Sequence, residues 1–187
     1  GASAAWQALL QDVLRPAHYT DAFVGYLGFA NSLGLNVGCL SAGAAVGKCF
    51  QRRFKFVLCL GLLVMLAAGV LWSLVCNSAG AQILLVVLIA ALGLGNGVAD
   101  PLFYELGAEL TYPAPEGTSA GILVLIWNLT SFVVIFLPTT LGGAVNWVFI
   151  GIIAICLLLV GSVREEYRRP ADKDMPHMLP SLGSCDA

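Results

Sequence analysis

Charge is the scarcest thing in this sequence. From Ala22 to Val163 only eight of 142 residues carry a charged side chain. They fall in two groups: Lys48, Arg52, Arg53 and Lys55, then Asp100, Glu105, Glu109 and Glu116. Over the whole chain 11% of residues are charged and 59% are hydrophobic, against about 25% charged in an ordinary soluble domain. An ionised side chain at mid-bilayer costs about 3 kcal/mol on insertion scales, so a run this poor in charge points to lipid as its solvent. The mean hydropathy of +0.88 agrees. A net charge of −2 with no basic stripe gives no basis for nucleic-acid binding. The six cysteines show no CxxC spacing, so they indicate neither a metal site nor a disulfide framework and read as small packing residues. No HExxH is present and no nucleophile–base pair lies in the apolar runs, so no enzyme, metal or cofactor is expected. No signal-peptide pattern precedes the first long apolar run, and the chain opens on Gly1, which reads as a fragment or a processed chain.

A spanning helix needs roughly 20 apolar residues. Five stretches qualify: 22–47, 56–76, 82–102, 118–137 and 146–163, the last two divided by Pro138 and the pair Gly142-Gly143. Pro101 marks a kink or the end of the third. The fold class is therefore an all-α membrane protein with five transmembrane helices. Residues 1–21, with Asp12, Arg15, Pro16 and His18, are too polar to span and read as an outer or lumenal loop. Thr20 or Asp21 is the expected N-cap of the first span. Residues 164–187 hold three prolines and mixed charge without an apolar period, the composition of a largely disordered tail. Basic residues favour the cytosolic side. Four crossings separate the Lys48–Lys55 group from Arg164, Arg168 and Arg169, so both groups face the cytosol, as does the C-terminus.

Within the spans a few residues carry information. Gly34/Gly38, Gly43/Gly47, Gly93/Gly97 and Gly117/Gly121 have the spacing that lets helix backbones approach closely. Static packing and a sliding surface both fit that spacing. Glu105 and Glu109 share one helical face. At 1.5 Å per residue a helix begun at Gln82 exhausts a core of about 30 Å near Pro101, which puts both carboxylates at the cytosolic end. There they suit a gate or a solvated helix end. Asp100 lies deeper, one turn after Asn96, and suits proton or cation coupling or a cap at the proline. Asn128 sits near the middle of 118–137 with Gly121 and Ser131 on its stripe and Trp127 beside it. An unpaired amide in hydrocarbon costs several kcal/mol, so Asn128 needs a partner helix or a wet cavity. Trp127, far from the membrane interface, reads as an aromatic wall of such a cavity. Asn128, Trp127 and Ser131 are the candidate solute contacts; Asp100, Glu105 and Glu109 are the candidate gating or coupling groups.

The string Tyr104-Glu105-Leu106, Glu109, Tyr112-Pro113, Glu116-Gly117 and Gly121, followed by the amide at Asn128, resembles solute carrier family 49 of the major facilitator superfamily. Thr20-Asp21-Ala22 and Gly25-Tyr26-Leu27-Gly28-Phe29 resemble the start of that family's eighth helix. The likeness covers residues 19–168 and is closest to the family's lysosomal member 4 branch. Gln51 stands where the superfamily's loop motif has an acid before its arginine, and Asp100 has no counterpart in the family pattern. The resemblance implies that the five spans correspond to helices 8–12 of a facilitator-type transporter in a lysosomal or plasma membrane. It implies as partners the lipid bilayer, a small organic solute of the haem, choline or vitamin-like cation class, and an N-terminal six-helix half plus helix 7. A non-transporting membrane scaffold or assembly subunit is the alternative.

Overall fold

The computed structural model describes residues 2–10, 14, 19–48, 54–76, 81–111, 114–136 and 144–162. The regular structure among them is helical: α1 (Ala2–Ala8), α2 (Asp21–Lys48), α3 (Phe54–Val75), α4 (Gln82–Thr111), α5 (Glu116–Phe136) and α6 (Val145–Ser162). Helices α2 to α6 are each long and apolar enough to cross a membrane. Arg52, Arg53, the turns expected around Asn77 and Gly142, and the tail from Val163 onward lie outside the described residues.

The long central helix α4 organises the rest. It packs against α2 on one side and α3 on the other. Its glycines explain why two neighbours fit so closely. A Cβ added at Gly93 would meet the backbone of Asn31 and Leu35, and one at Gly97 the backbone of Leu35 and Cys39. From the opposite helix, Gly34 would meet Ala90 and Leu94, and Gly38 would meet Leu94 and Gly97. Gly95, turned about 100° from its neighbours in sequence, faces Gly61 and Met65 of α3. Two of the four glycine pairs read from the sequence therefore form one α2–α4 seam. The buried amide of Asn31 adds a hydrogen bond across it, donating from Nδ2 to the Ile89 carbonyl at 3.1 Å. Gly43, Gly117 and Gly121 meet nothing within 4 Å and belong to open faces.

Two elements differ from the sequence expectation. Helix α4 runs through Pro101 to Thr111 instead of stopping near Leu102. Proline removes one intrahelical hydrogen bond, but neighbouring helices make that tolerable in a membrane bundle. Beyond it Leu102 and Leu106 are buried and hold the extension against the bundle. The second difference is α1, where an outer loop was expected. Its sequence, Ala-Ser-Ala-Ala-Trp-Gln-Ala, is rich in the best helix former. Trp6 supplies the anchor: 2% exposed, it stacks on Phe149 at 5.1 Å and meets Trp72 edge-on at 5.7 Å. Its Nε1 donates to Asn146 Oδ1 at 2.8 Å, so the indole's one polar atom is satisfied in the core. Helix α1 thereby docks between α5 and α6. At the opposite ends of α3 and α6, Lys55 Nζ donates to the Gly161 carbonyl at 2.7 Å, a cation on the negative end of the last helix.

Candidate functional site

Helices α3, α4, α5 and α6 do not close completely on one another. Between them, below the N-terminal end of α1, lies a cavity of about 420 Å³. That is within the range of small-molecule pockets, about 300–1,000 Å³. Its walls are mostly apolar and aromatic, with Phe103 and Tyr104 from α4, Trp127 from α5 and Phe149 from α6. The polar groups converge on one strip. Asn96 and Asp100, one turn apart on α4, both line the cavity, and Asn96 Nδ2 donates to Asp100 Oδ2 at 3.5 Å. Ser3 of α1 completes the strip by donating from Oγ to Asn96 Oδ1 at 2.8 Å. Asn96 thus relays between a hydroxyl and a carboxylate. Its place about 21 Å along α4 from Gln82 puts this relay deep in the span.

Of the six residues proposed from the sequence, Asp100 and Trp127 line this cavity. The other four do not. Asn128 points away from it, onto the exposed face of α5, where its Nδ2 donates to the Val124 carbonyl one turn back at 2.8 Å. Ser131 is partly buried and its hydroxyl returns to the Trp127 carbonyl at 2.9 Å. Glu105 is exposed beyond Pro101 on α4. Glu109 is partly buried, and its Oε2 is enclosed without a hydrogen-bond partner among the described residues. Close by, Thr111 and Ser119 share a 2.6 Å hydroxyl hydrogen bond, and Gly107 receives the Leu123 side chain. These contacts hinge α5 on the end of α4. Beyond this end α5 is held by α1, and Val134 is its one further buried residue. Among the described residues no group of three His, Cys, Asp or Glu side chains could hold a metal ion.

Sequence reasoning missed Ser3, Tyr104 and Cys156 as cavity residues. Tyr104 had a signal, since Asn96, Asp100 and Tyr104 recur every four residues and share a helical face. Ser3 had none, because its place depends on the docking of α1 by Trp6.

No family model matches the chain. Its sequence is 29% identical over 181 residues to the solute carrier family 49 member 4 homolog of Xenopus tropicalis, covering 90% of this chain and 39% of that protein. It is 27% identical over 176 residues to the protein of the same name from Xenopus laevis, covering 88% and 38%. It is also 27% identical over 191 residues to solute carrier family 49 member A3 of Danio rerio, again covering 88% and 38%. The resemblance to solute carrier family 49 thus extends over nearly the whole chain. The chain spans less than two-fifths of the length of these relatives.

Proposed function

We propose that this multi-pass membrane chain forms part of a facilitator-type secondary transporter for a small organic solute. The observation that carries the reading is Asn128: a mid-span amide on an exposed helix face, preceded on that face by Gly117 and Gly121, which meet nothing within 4 Å, in a chain whose relatives are named solute carriers. Lipid is a poor solvent for such an amide, so its face belongs to a wet pathway. Solute sites of two-lobed transporters lie near the bilayer midplane between repeats, and helices beyond α1–α6 would supply the facing wall. In this reading Asn128 contacts the solute and Trp127 and Ser131 border it. Glu105 and Glu109 lie at the cytosolic gate. Asp100, held by Asn96 and Ser3, serves proton or cation coupling. The solute belongs to the haem, choline or vitamin-like cation class, the membrane is lysosomal or plasma membrane, and the C-terminus is cytosolic.

Solute uptake by the full-length transporter decides the role of Asn128. Asn128→Ala should weaken apparent affinity and leave expression and trafficking nearly intact, since interhelical hydrogen bonds in membranes average only about 0.6 kcal/mol. Glu109→Ala serves as the cytosolic-end control. Unaltered affinity with lost expression would remove Asn128 from the site. Orientation is read separately, by single cysteines at Arg52 and Arg169 against Asn77 and Gly142. Labelling of Asn77→Cys from the cytosol would overturn it.

A further inference from the structure

The cavity between α3, α4, α5 and α6 combines one charge with an aromatic lining. Among the side chains that line it, the Asp100 carboxylate is the only formal charge, and no basic side chain joins it there. Its neighbour on α4 offers a neutral and stretched bond, Asn96 Nδ2 donating to Oδ2 at 3.5 Å. A carboxylate in a setting this apolar calls for a cationic or protonic partner. A second acceptor lines the same space. Thr130 spends its one hydroxyl hydrogen on the Ile126 carbonyl at 2.8 Å, so towards a ligand its oxygen can only accept.

The walls narrow what that partner is. Phe103, Tyr104, Trp127 and Phe149 present aromatic surface from three helices, and ring faces attract cations, Trp most strongly. A proton alone would neutralise Asp100 and leave this surface bare. A small inorganic cation finds no second carboxylate among the lining residues, and it would have to keep its water shell against apolar walls. The volume of about 420 Å³ is many times the share of one water, about 30 Å³. An organic cation meets both demands, with its charge on Asp100 and its carbon on the rings.

We infer that this cavity binds a protonated primary or secondary amine whose apolar body is about the size of one aromatic ring. The N–H groups go to Asp100 and Thr130, and the body lies against Trp127, Tyr104 and Phe103. Asp100 departs from the pattern of the family that the sequence resembles, so the site is built from residues particular to this chain. It is also separate from the Asn128 face, since Asn128 points away from the cavity that Trp127 lines. The inference goes beyond the transporter reading, and amine binding and solute uptake can fail independently of each other.

The test uses the full-length protein in native membranes. The probe is a phenethylamine with a diazirine on its ring, photolysed in place, with captured sites read by peptide mass spectrometry. Capture should saturate, fall within 99–104, 123–130 and 149–156, and be competed by phenethylamine. Competition by the neutral 2-phenylethanol should be about tenfold or more weaker, the usual scale for losing a charged hydrogen bond. The N,N,N-trimethyl analogue, which has no N–H, should also compete less well than phenethylamine. At matched membrane abundance, Asp100→Asn should weaken capture about tenfold or more, with partial recovery in Asp100→Glu. Trp127→Leu should weaken it about threefold or more. Trp127 is 42% exposed, so its replacement leaves no hole in the core and reads the site even where Asp100→Asn folds poorly. Absence of saturable capture, equal competition by 2-phenylethanol, or capture only at Ile122, Leu125 or Leu129 on the outward face would overturn the site. Capture unchanged by both Asp100→Asn and Trp127→Leu would do the same. Equal potency of the trimethyl analogue would overturn the N–H contacts.

Discussion

The α2–α4 seam makes a prediction whose sign is set by geometry. In an open helix interior, replacing glycine by alanine is favourable by up to about 1 kcal/mol, because alanine restricts the unfolded backbone. Gly25→Ala and Gly43→Ala, whose new carbons meet nothing within 4 Å, should therefore be neutral or slightly stabilising. Gly97→Ala should go the other way. Its Cβ would strike the Leu35 carbonyl oxygen and stand 2.8 Å from the carbonyl carbon and 3.0 Å from the Cys39 nitrogen. These are backbone atoms in a helix, so no rotamer change relieves the clash and the helices must part. Overpacking of this kind typically costs about 1–3 kcal/mol. Separation also stretches the Asn31–Ile89 hydrogen bond, adding about 0.6 kcal/mol on the membrane average. We expect Gly97→Ala, and equally Gly93→Ala, to lose about 2–3 kcal/mol in reversible unfolding by dodecyl sulfate titration, followed by circular dichroism. A Gly97→Ala protein as stable as Gly43→Ala would refute the backbone contact.

Three further outcomes are expected. Trp6→Ala removes a buried indole and should cost about 3–5 kcal/mol by large-to-small core precedent, releasing α1 to protease. Trp6→Phe should cost less, keeping the stack on Phe149 while leaving Asn146 Oδ1 without its donor. A double-mutant cycle on Thr111→Val and Ser119→Ala should give a coupling of about 0.6 kcal/mol, and zero coupling would remove the hinge between α4 and α5. Asn96→Leu should detach Ser3 from Asp100 and weaken any coupling carried by Asp100, read as a lost pH dependence of uptake in the full-length transporter with solute affinity retained.

What the sequence disclosed follows from how local each signal is. Spans show in composition because every residue of a lipid-facing helix meets the same solvent, so α2 to α6 could be placed from apolar length alone. The glycines at 34, 38, 93 and 97 were visible as spaced pairs, but which pair meets which is a tertiary fact that spacing does not hold. Pro101 left a kink or an end open, and the helix continues because Leu102 and Leu106 pack beyond it. Helix α1 was hidden by the polar residues after it: Asp12 and Arg15 set the character of the segment, while Trp6 decides its structure through partners 66 and 140 residues away. For the candidate site, Asp100 and Trp127 emerged from depth and neighbours. Ser3 and Tyr104 depended on which helices enclose the cavity.

The seam also bears on the order of assembly. Helix α2 is the least hydrophobic of the five spanning segments, carries two asparagines, Asn31 and Asn36, and finds its closest partner in α4, with α3 made in between. At roughly 5–20 residues per second, several seconds of synthesis pass before α4 is complete. During that interval the Asn31 amide has no Ile89 carbonyl to donate to, and the Gly34/Gly38 strip lies bare. Retention of α2 in the bilayer is thus a debt settled by a later helix, which makes the newborn chain, more than the finished one, the stage at which a substitution at Gly93 or Gly97 would divert the protein to degradation.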